Sequence, residues 1–270
     1  MGRRRSRRIK RQRNQAILNF AIAAAAVTII GFSVYALQPK PYDERTLCEI
    51  SDELPPHTAI IIDKTDVYSE LQAELIAGAI RSAGRGLSVG ERLTLFELDA
   101  NGVFDPRGEF SLCNPGRGNQ VNPLFRNQKL IEERYAALFE APLDQALSDL
   151  VTPKNAPKSP ILEAVARLSQ TEAFSEDAPR RRLILVSDML QNSTVFSAYG
   201  GQGGLPATIP EAGDVVQSVE TRFGVALRGV ELEIRLIPRE RYFDLQRGTL
   251  KAYWDRVFEQ LGVEVSWRDL

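Results

Sequence analysis

Histidine is almost missing from this chain. His57 is the only one in 270 residues, and cysteine occurs twice, at Cys48 and Cys113. One histidine and two distant cysteines exclude a zinc cluster of ordinary composition. No Ser-His-Asp grouping can be assembled around a histidine that comes directly after Pro55 and Pro56. His57 reads instead as a surface-loop residue. The run Gly201-Gln202-Gly203-Gly204 lacks the Lys and following Ser or Thr of a phosphate-binding loop, and reads as a flexible loop. Acidic residues are absent before Asp43, whereas Arg3, Arg4, Arg5, Arg7, Arg8, Lys10, Arg11 and Arg13 crowd the amino terminus. The remainder therefore sets 26 basic residues against 35 acidic ones, which excludes a uniformly basic nucleic-acid binder. There is no internal repeat, and no low-complexity tract apart from the basic tail.

The segment after the basic run is apolar. Ala16 to Leu37 contains one Asn, one Thr and one Ser as its polar members. About 20 apolar residues suffice to cross a hydrocarbon core as a helix. Basic residues stay on the cytoplasmic side, so the expected topology is a single-pass bacterial inner-membrane protein with a cytoplasmic amino terminus and a periplasmic domain. A cleaved signal peptide is the alternative, with small residues around Val34-Tyr35-Ala36. Ser6-Arg7-Arg8 also suggests a twin-arginine signal, though the residues after it fit poorly. The length of the apolar stretch favours an uncleaved anchor. Both cysteines fall in the exported part, where two thiols form a disulfide more readily than a metal pair. Such a bridge would pin the segment after the membrane helix to the folded domain; two buried free thiols are the alternative.

The expected organisation is a basic tail over 1–15, a membrane helix over 16–37, a Pro-rich charged tether over 38–57 and a folded domain over 58–270. Within the domain, Thr58–Asp63 reads as a fully buried strand, continuous rather than alternating. A helix is expected next, over Ser69–Ser82. Strands are expected at 91–98 and 108–113, the second folding back at the Asn101-Gly102 turn signal. Helical sequence covers 128–150, and Ser159-Pro160 opens another helix. Strands at 181–188, 230–238 and 263–267 alternate with helices at 214–222 and 250–262. The alternation predicts an α/β fold with a doubly wound, mostly parallel sheet, helices on both faces and one antiparallel edge strand. Tyr253, Trp254 and Phe258 share a helix and read as core.

In such sheets the working residues gather at the carboxyl ends of the strands. Two strands end in aspartate, at Asp63 and Asp188, and Ser159 could add an oxygen from a helix start. Thr65, Asp66 and Ser69 crowd the exit of the first strand. Carboxylates and hydroxyls on one rim suit Mg²⁺ or Mn²⁺, hard ions that prefer oxygen. Two other readings compete. Asp63-Lys64-Thr65 is similar to the phosphorylated-aspartate motif of P-type ATPases, which would make Asp63 a nucleophile in a Mg²⁺-dependent phosphohydrolase; but Asp66-Val67 stands where those enzymes have Gly-Thr. Alternatively Asp66 or Ser69 caps the next helix, with no ligand at all.

Taken together, Asp63-Lys64-Thr65, the stretch from Lys158 to Leu168 and "LILVSDML" around Asp188 resemble the von Willebrand factor A-like domain with its metal-ion-dependent adhesion site. That resemblance covers about Thr58 to Leu270 and implies the same doubly wound fold. It also implies a metal at the sheet rim that completes its coordination with an Asp or Glu of a partner protein. Asp63, Thr65 and Ser159 would hold the ion directly and Asp188 through water. Val67 departs from the family, which has Ser there; Asp66 and Ser69 are the candidate substitutes. The loops 99–125 and 189–212 would shape partner choice. The expectation is a non-enzymatic, membrane-anchored protein-binding module, with a metal-free envelope scaffold as the alternative.

Overall fold

The structure is a computed structural model. It describes residues 2–36, 41–98, 100, 110–124, 126–150, 156–171, 174–199 and 209–270. These form two compact units, 1–41 and 42–270.

The first unit is one helix, α1 (Gly2–Ala36). Its segment Arg13–Ser33, 21 residues, is long and apolar enough to cross a membrane. At about 1.5 Å per residue it spans roughly 31 Å, close to the thickness of a hydrocarbon core. Its polar members satisfy themselves along the helix: the Thr28 and Ser33 hydroxyls donate to the carbonyls of Ala24 and Ile29, each at 2.8 Å. A membrane anchor and a signal sequence both fit these features. Leu37 lies outside the described residues.

The second unit is built on a six-stranded sheet: β1 (His57–Asp63), β2 (Arg92–Leu98), β3 (Phe110–Cys113), β4 (Arg181–Ser187), β5 (Glu231–Leu236) and β6 (Glu264–Asp269). The order across it is β3-β2-β1-β4-β5-β6. All pairings are parallel except β2 with β3, which is antiparallel. Helices α2 (Glu70–Arg85), α3 (Gln128–Tyr135) and α4 (Ala141–Leu150) pack one face, the last two joined by a π-helical segment, Ala136–Glu140. Helices α5 (Ile161–Leu168), α6 (Ala212–Phe223) and α8 (Thr249–Gln260) cover the other, α8 preceded by the short α7 (Phe243–Arg247). This agrees with the expected architecture, to which α7 is an addition.

The two faces explain the unbroken apolar run of β1. Ala59 and Ile61 enter the core under α5, α6 and α8, while Ile60 and Ile62 enter the core under α2, α3 and α4. A strand covered on both sides has no solvent face to mark with polar residues. As expected, Tyr253, Trp254 and Phe258 are buried.

His57 departs from expectation. It is the first residue of β1, buried, with its Nε2 2.8 Å from the Thr94 hydroxyl and its ring edge-on to Phe174. The strand starts one residue earlier than expected, because β2 and β4 both offer pairing partners at that register.

The cysteines are bonded to each other. Cys48 and Cys113 form a disulfide with 4.8 Å between Cα atoms. The Thr46 carbonyl accepts from the Cys113 amide at 2.8 Å. Most of the expected tether, from Tyr42 on, is thus part of the folded unit and is fastened to the edge strand β3.

Candidate functional site

The chain turns one way from β1 toward β2 and the other way from β4 toward β5, so the sheet reverses its winding between β1 and β4. At such a switch point the carboxyl ends of adjacent strands open a crevice between diverging helices. Asp63 ends β1, and Asp188 follows β4 directly.

Asp63 is a buried hub. Its Oδ1 accepts from the Thr65 hydroxyl at 2.6 Å and the Thr65 amide at 3.1 Å. Its Oδ2 accepts from the Ser187 hydroxyl at 2.7 Å and the Ser159 hydroxyl at 3.1 Å. Ser159 reaches it because its loop is bridged to the loop after β4: the backbones of Ser159 and Asn192 exchange two hydrogen bonds, each 2.9 Å. A further amide, that of Ala156, donates to the Thr65 carbonyl at 2.9 Å. Three separate pieces of chain therefore meet at one carboxylate.

Asp188 is equally buried and held by a tight turn. Met189 takes a left-handed backbone, φ 61°. Such a conformation in a non-glycine residue persists only when its surroundings over-determine it. Here the Ser187 hydroxyl accepts from the Met189 amide, and Asp188 Oδ1 accepts from the Leu190 amide, both at 2.9 Å. The Met189 carbonyl accepts from the Trp254 indole at 2.9 Å. Asp188 Oδ2 accepts from Arg239 Nε at 2.8 Å. Arg239 also donates to the Val67 carbonyl and lies 3.7 Å from Asp66. Lys64, buried beside the hub, pairs with Glu97 at 3.1 Å.

The charges in this crevice act on one another. Burial, and next the nearby charge of Asp63, push the Asp188 carboxyl above the usual carboxylate range, against the pull of Arg239. Burial likewise pushes the Tyr68 phenol up to about 12, with Asp63 and Glu97 adding to the effect. Tyr199 is raised by burial and then by Asp188 and Asp66.

Of the six residues expected at the rim, four come together: Asp63, Thr65, Ser159 and Asp188. Asp66 is half-exposed and approaches the group only through Arg239. Ser69 is elsewhere engaged as the amino-terminal cap of α2. Its hydroxyl accepts from the Gln72 amide, and Gln72 Oε1 accepts in return from the Ser69 amide. Such reciprocal capping satisfies two otherwise free amides. Val67 is exposed, with no oxygen to offer from its side chain. Parts of the two loops expected to flank the rim, 101–109 and 200–208 above all, lie outside the described residues.

The donor set suits a hard divalent ion in kind. It holds two buried carboxylates and two buried hydroxyls, all oxygen. Asp188, raised first by burial and then by the charge of Asp63, sits where added positive charge would be favourable.

Sequence reasoning misses Ser187, Arg239 and Gln246. Ser187 is legible in principle, as the hydroxyl preceding a strand-end aspartate. Arg239 could be found by applying the same strand-end rule to β5, where "LIPRE" contains the last apolar residues and the arginine. Gln246 carries no signal.

No family model and no curated protein matches the sequence. Among solved structures the chain is similar to the conserved hypothetical protein BatB of Bacteroides thetaiotaomicron, at 13% identity and TM-score 0.38, covering 79% of this chain and 90% of that one. It is similar to an aerotolerance-related membrane protein of Bacteroides fragilis, at 12% identity and TM-score 0.32, covering 76% and 99%. It is also similar to the PilB minor pilin of Streptococcus sanguinis, at 11% identity and TM-score 0.41, covering 82% of this chain and 58% of the pilin.

Proposed function

We propose that the 42–270 unit is a protein-binding module of the bacterial envelope, held to the inner membrane by α1 and facing the periplasm. In this reading Asp63, Thr65, Ser159 and Asp188 hold Mg²⁺ or Mn²⁺ at the rim. The observation that carries it is the hydrogen bond of 3.1 Å from Ser159 to Asp63, residues 96 apart in sequence, beside a second buried aspartate. When bound, the ion would supply a hard positive charge to an Asp or Glu of the partner. The chain's own residues position that charge: Thr65, Ser159 and Ser187 fix the Asp63 carboxylate, and the Met189 turn fixes Asp188. A contact of this kind gives selectivity as much as affinity.

Phosphoryl transfer is disfavoured by the residues that follow Asp63, where Asp66-Val67 stands in place of the Gly-Thr of the phosphorylated-aspartate motif. A metal-free scaffold is favoured by one observation, the ion pair that already gives Asp188 a cationic partner. Calorimetric titration of the full chain in detergent with Mg²⁺ and Mn²⁺ separates the two. The binding-module reading expects heat that is lost in Ser159→Ala, together with a partner cross-linked through a photoreactive residue at Val67 and released by chelator. No heat at millimolar metal, with chelator-insensitive cross-links, would leave only the scaffold.

A further inference from the structure

Arg239 stands where it can decide whether a metal enters. Its place is fixed by backbone rather than by its own side chain. The amide of Ile237 donates to the Ser187 carbonyl at 2.9 Å, which carries the chain leaving β5 across the end of β4. The buried side-chain amide of Gln246 then clamps both strand ends. Its Oε1 accepts from the Arg239 amide at 2.8 Å, and its Nε2 donates to the carbonyls of Asp188 at 2.8 Å and Ile237 at 3.0 Å. From that anchored position the guanidinium crosses the crevice. It pairs with Asp188 at 2.8 Å, bonds the Val67 carbonyl and approaches Asp66 at 3.7 Å. Val67 offers no side-chain oxygen here, and its carbonyl is taken by the guanidinium.

We propose that Arg239 is a resident cation that competes with a divalent ion for Asp188, so that the metal affinity of the rim is set by this side chain. The proposal rests on the reading of the rim as a metal site. Three considerations support it. The guanidinium already takes Asp188 Oδ2 while Oδ1 accepts from the Leu190 amide, so an ion drawing on this carboxylate, directly or through water, would compete with Arg239. One guanidinium stands against three carboxylates, Asp63, Asp66 and Asp188, so the crevice remains short of positive charge and a second cation is not repelled outright. The side chain can also swing without unravelling its surroundings, because the Gln246 clamp grips only backbone atoms of Arg239. Metal entry and arginine release are then two sides of one exchange. Arg239 already lines a groove of about 690 Å³ together with Arg241, Tyr242, Leu71 and Leu75, and this groove would receive the released guanidinium.

The test uses the full chain in detergent, titrated calorimetrically with MgCl₂ and MnCl₂ as wild type, Arg239→Gln and Arg239→Lys. Competition predicts that Arg239→Gln binds metal at least about tenfold more tightly than wild type, with Arg239→Lys between them. Equal or weaker binding by Arg239→Gln overturns the competition and leaves the metal site standing. Absence of binding in all three proteins overturns both. The wild type supplies a check that needs no substitution: with ¹⁵N-labelled arginine, Mg²⁺ should shift the Nε–H resonance that Arg239→Lys deletes. An unmoved resonance at metal saturation would also overturn the proposal.

Discussion

Replacing Asp63 by alanine removes the acceptor for four donors at once: the hydroxyls of Thr65, Ser159 and Ser187 and the amide of Thr65. Hydrogen bonds to a charged acceptor contribute about 1.5–3 kcal/mol each. Two effects reduce the sum. Alanine also relieves the desolvation of a buried carboxylate and its repulsion of Asp188. The three hydroxyls can turn toward other acceptors, whereas the Thr65 amide cannot. The expected loss is therefore about 3–5 kcal/mol, well below the sum of four such bonds. Against a total of about 5–15 kcal/mol for a domain, that is a large share. Asparagine keeps one oxygen for two of the donors and offers an N–H₂ to a rotated hydroxyl, so Asp63→Asn should lose only about 1–2 kcal/mol. Urea unfolding of the full chain in detergent, followed by near-ultraviolet circular dichroism from buried Trp254, measures both. An Asp63→Ala loss below about 1 kcal/mol, or an Asn variant as costly as the Ala variant, would refute the picture of Asp63 as a hub. With Asp63 as a hub, Asp63→Ala is a poor probe of partner binding, and Ser159→Ala is the cleaner one.

The disulfide and the buried tyrosines supply two more expected outcomes. The Cys48–Cys113 bond closes 65 residues, which in the chain-entropy description amounts to about 4 kcal/mol. Cys48→Ser with Cys113→Ser should lose about that much and become indifferent to reductant; a loss below about 1 kcal/mol would contradict it. Tyr68 and Tyr253 are each pushed up to about 12 by burial. Their folded values lie above the unfolded one near 10, so the stability they contribute is complete below about pH 10 and lost as pH rises toward 12. An ultraviolet difference titration should lose one late-ionising tyrosine in each of Tyr68→Phe and Tyr253→Phe, and ionisation of these two near 10 would rule this out.

The sheet is readable because each strand advertises its environment. Five of the six strands are parallel neighbours under helices, and β1 and β4 carry the unbroken apolar runs that two-sided cover requires. The strand-end rule then locates Asp63 and Asp188, and the helix-start signal locates Ser159. Ser69 is ambiguous for a physical reason: a hydroxyl one residue before a helix is equally a ligand and a cap, and only its reciprocal bonds with Gln72 distinguish the two. Gln246 is out of reach for another reason: its contact with Asp188 spans 58 residues and nothing local marks it, while Arg239, 51 residues from Asp188, is reached only by carrying the strand-end rule past β5. His57 misleads because the two prolines before it suggest a loop, while pairing with strands on both sides extends β1 to include it. Arg181, at the entrance to β4 beside the exposed Arg180, is buried and donates to the carbonyls of Ala226 and Arg228.

The disulfide has a mechanical meaning. Tension applied to the chain ahead of Cys48 passes through sulfur to β3 and by-passes everything from residue 49 to residue 112, including β1, α2 and β2. A pull from that side cannot peel β1 out of the sheet from its free end while the bond is oxidised, and Asp63 stays unloaded. Reduction would reroute the force directly into β1, converting a shielded strand into the first element to tear.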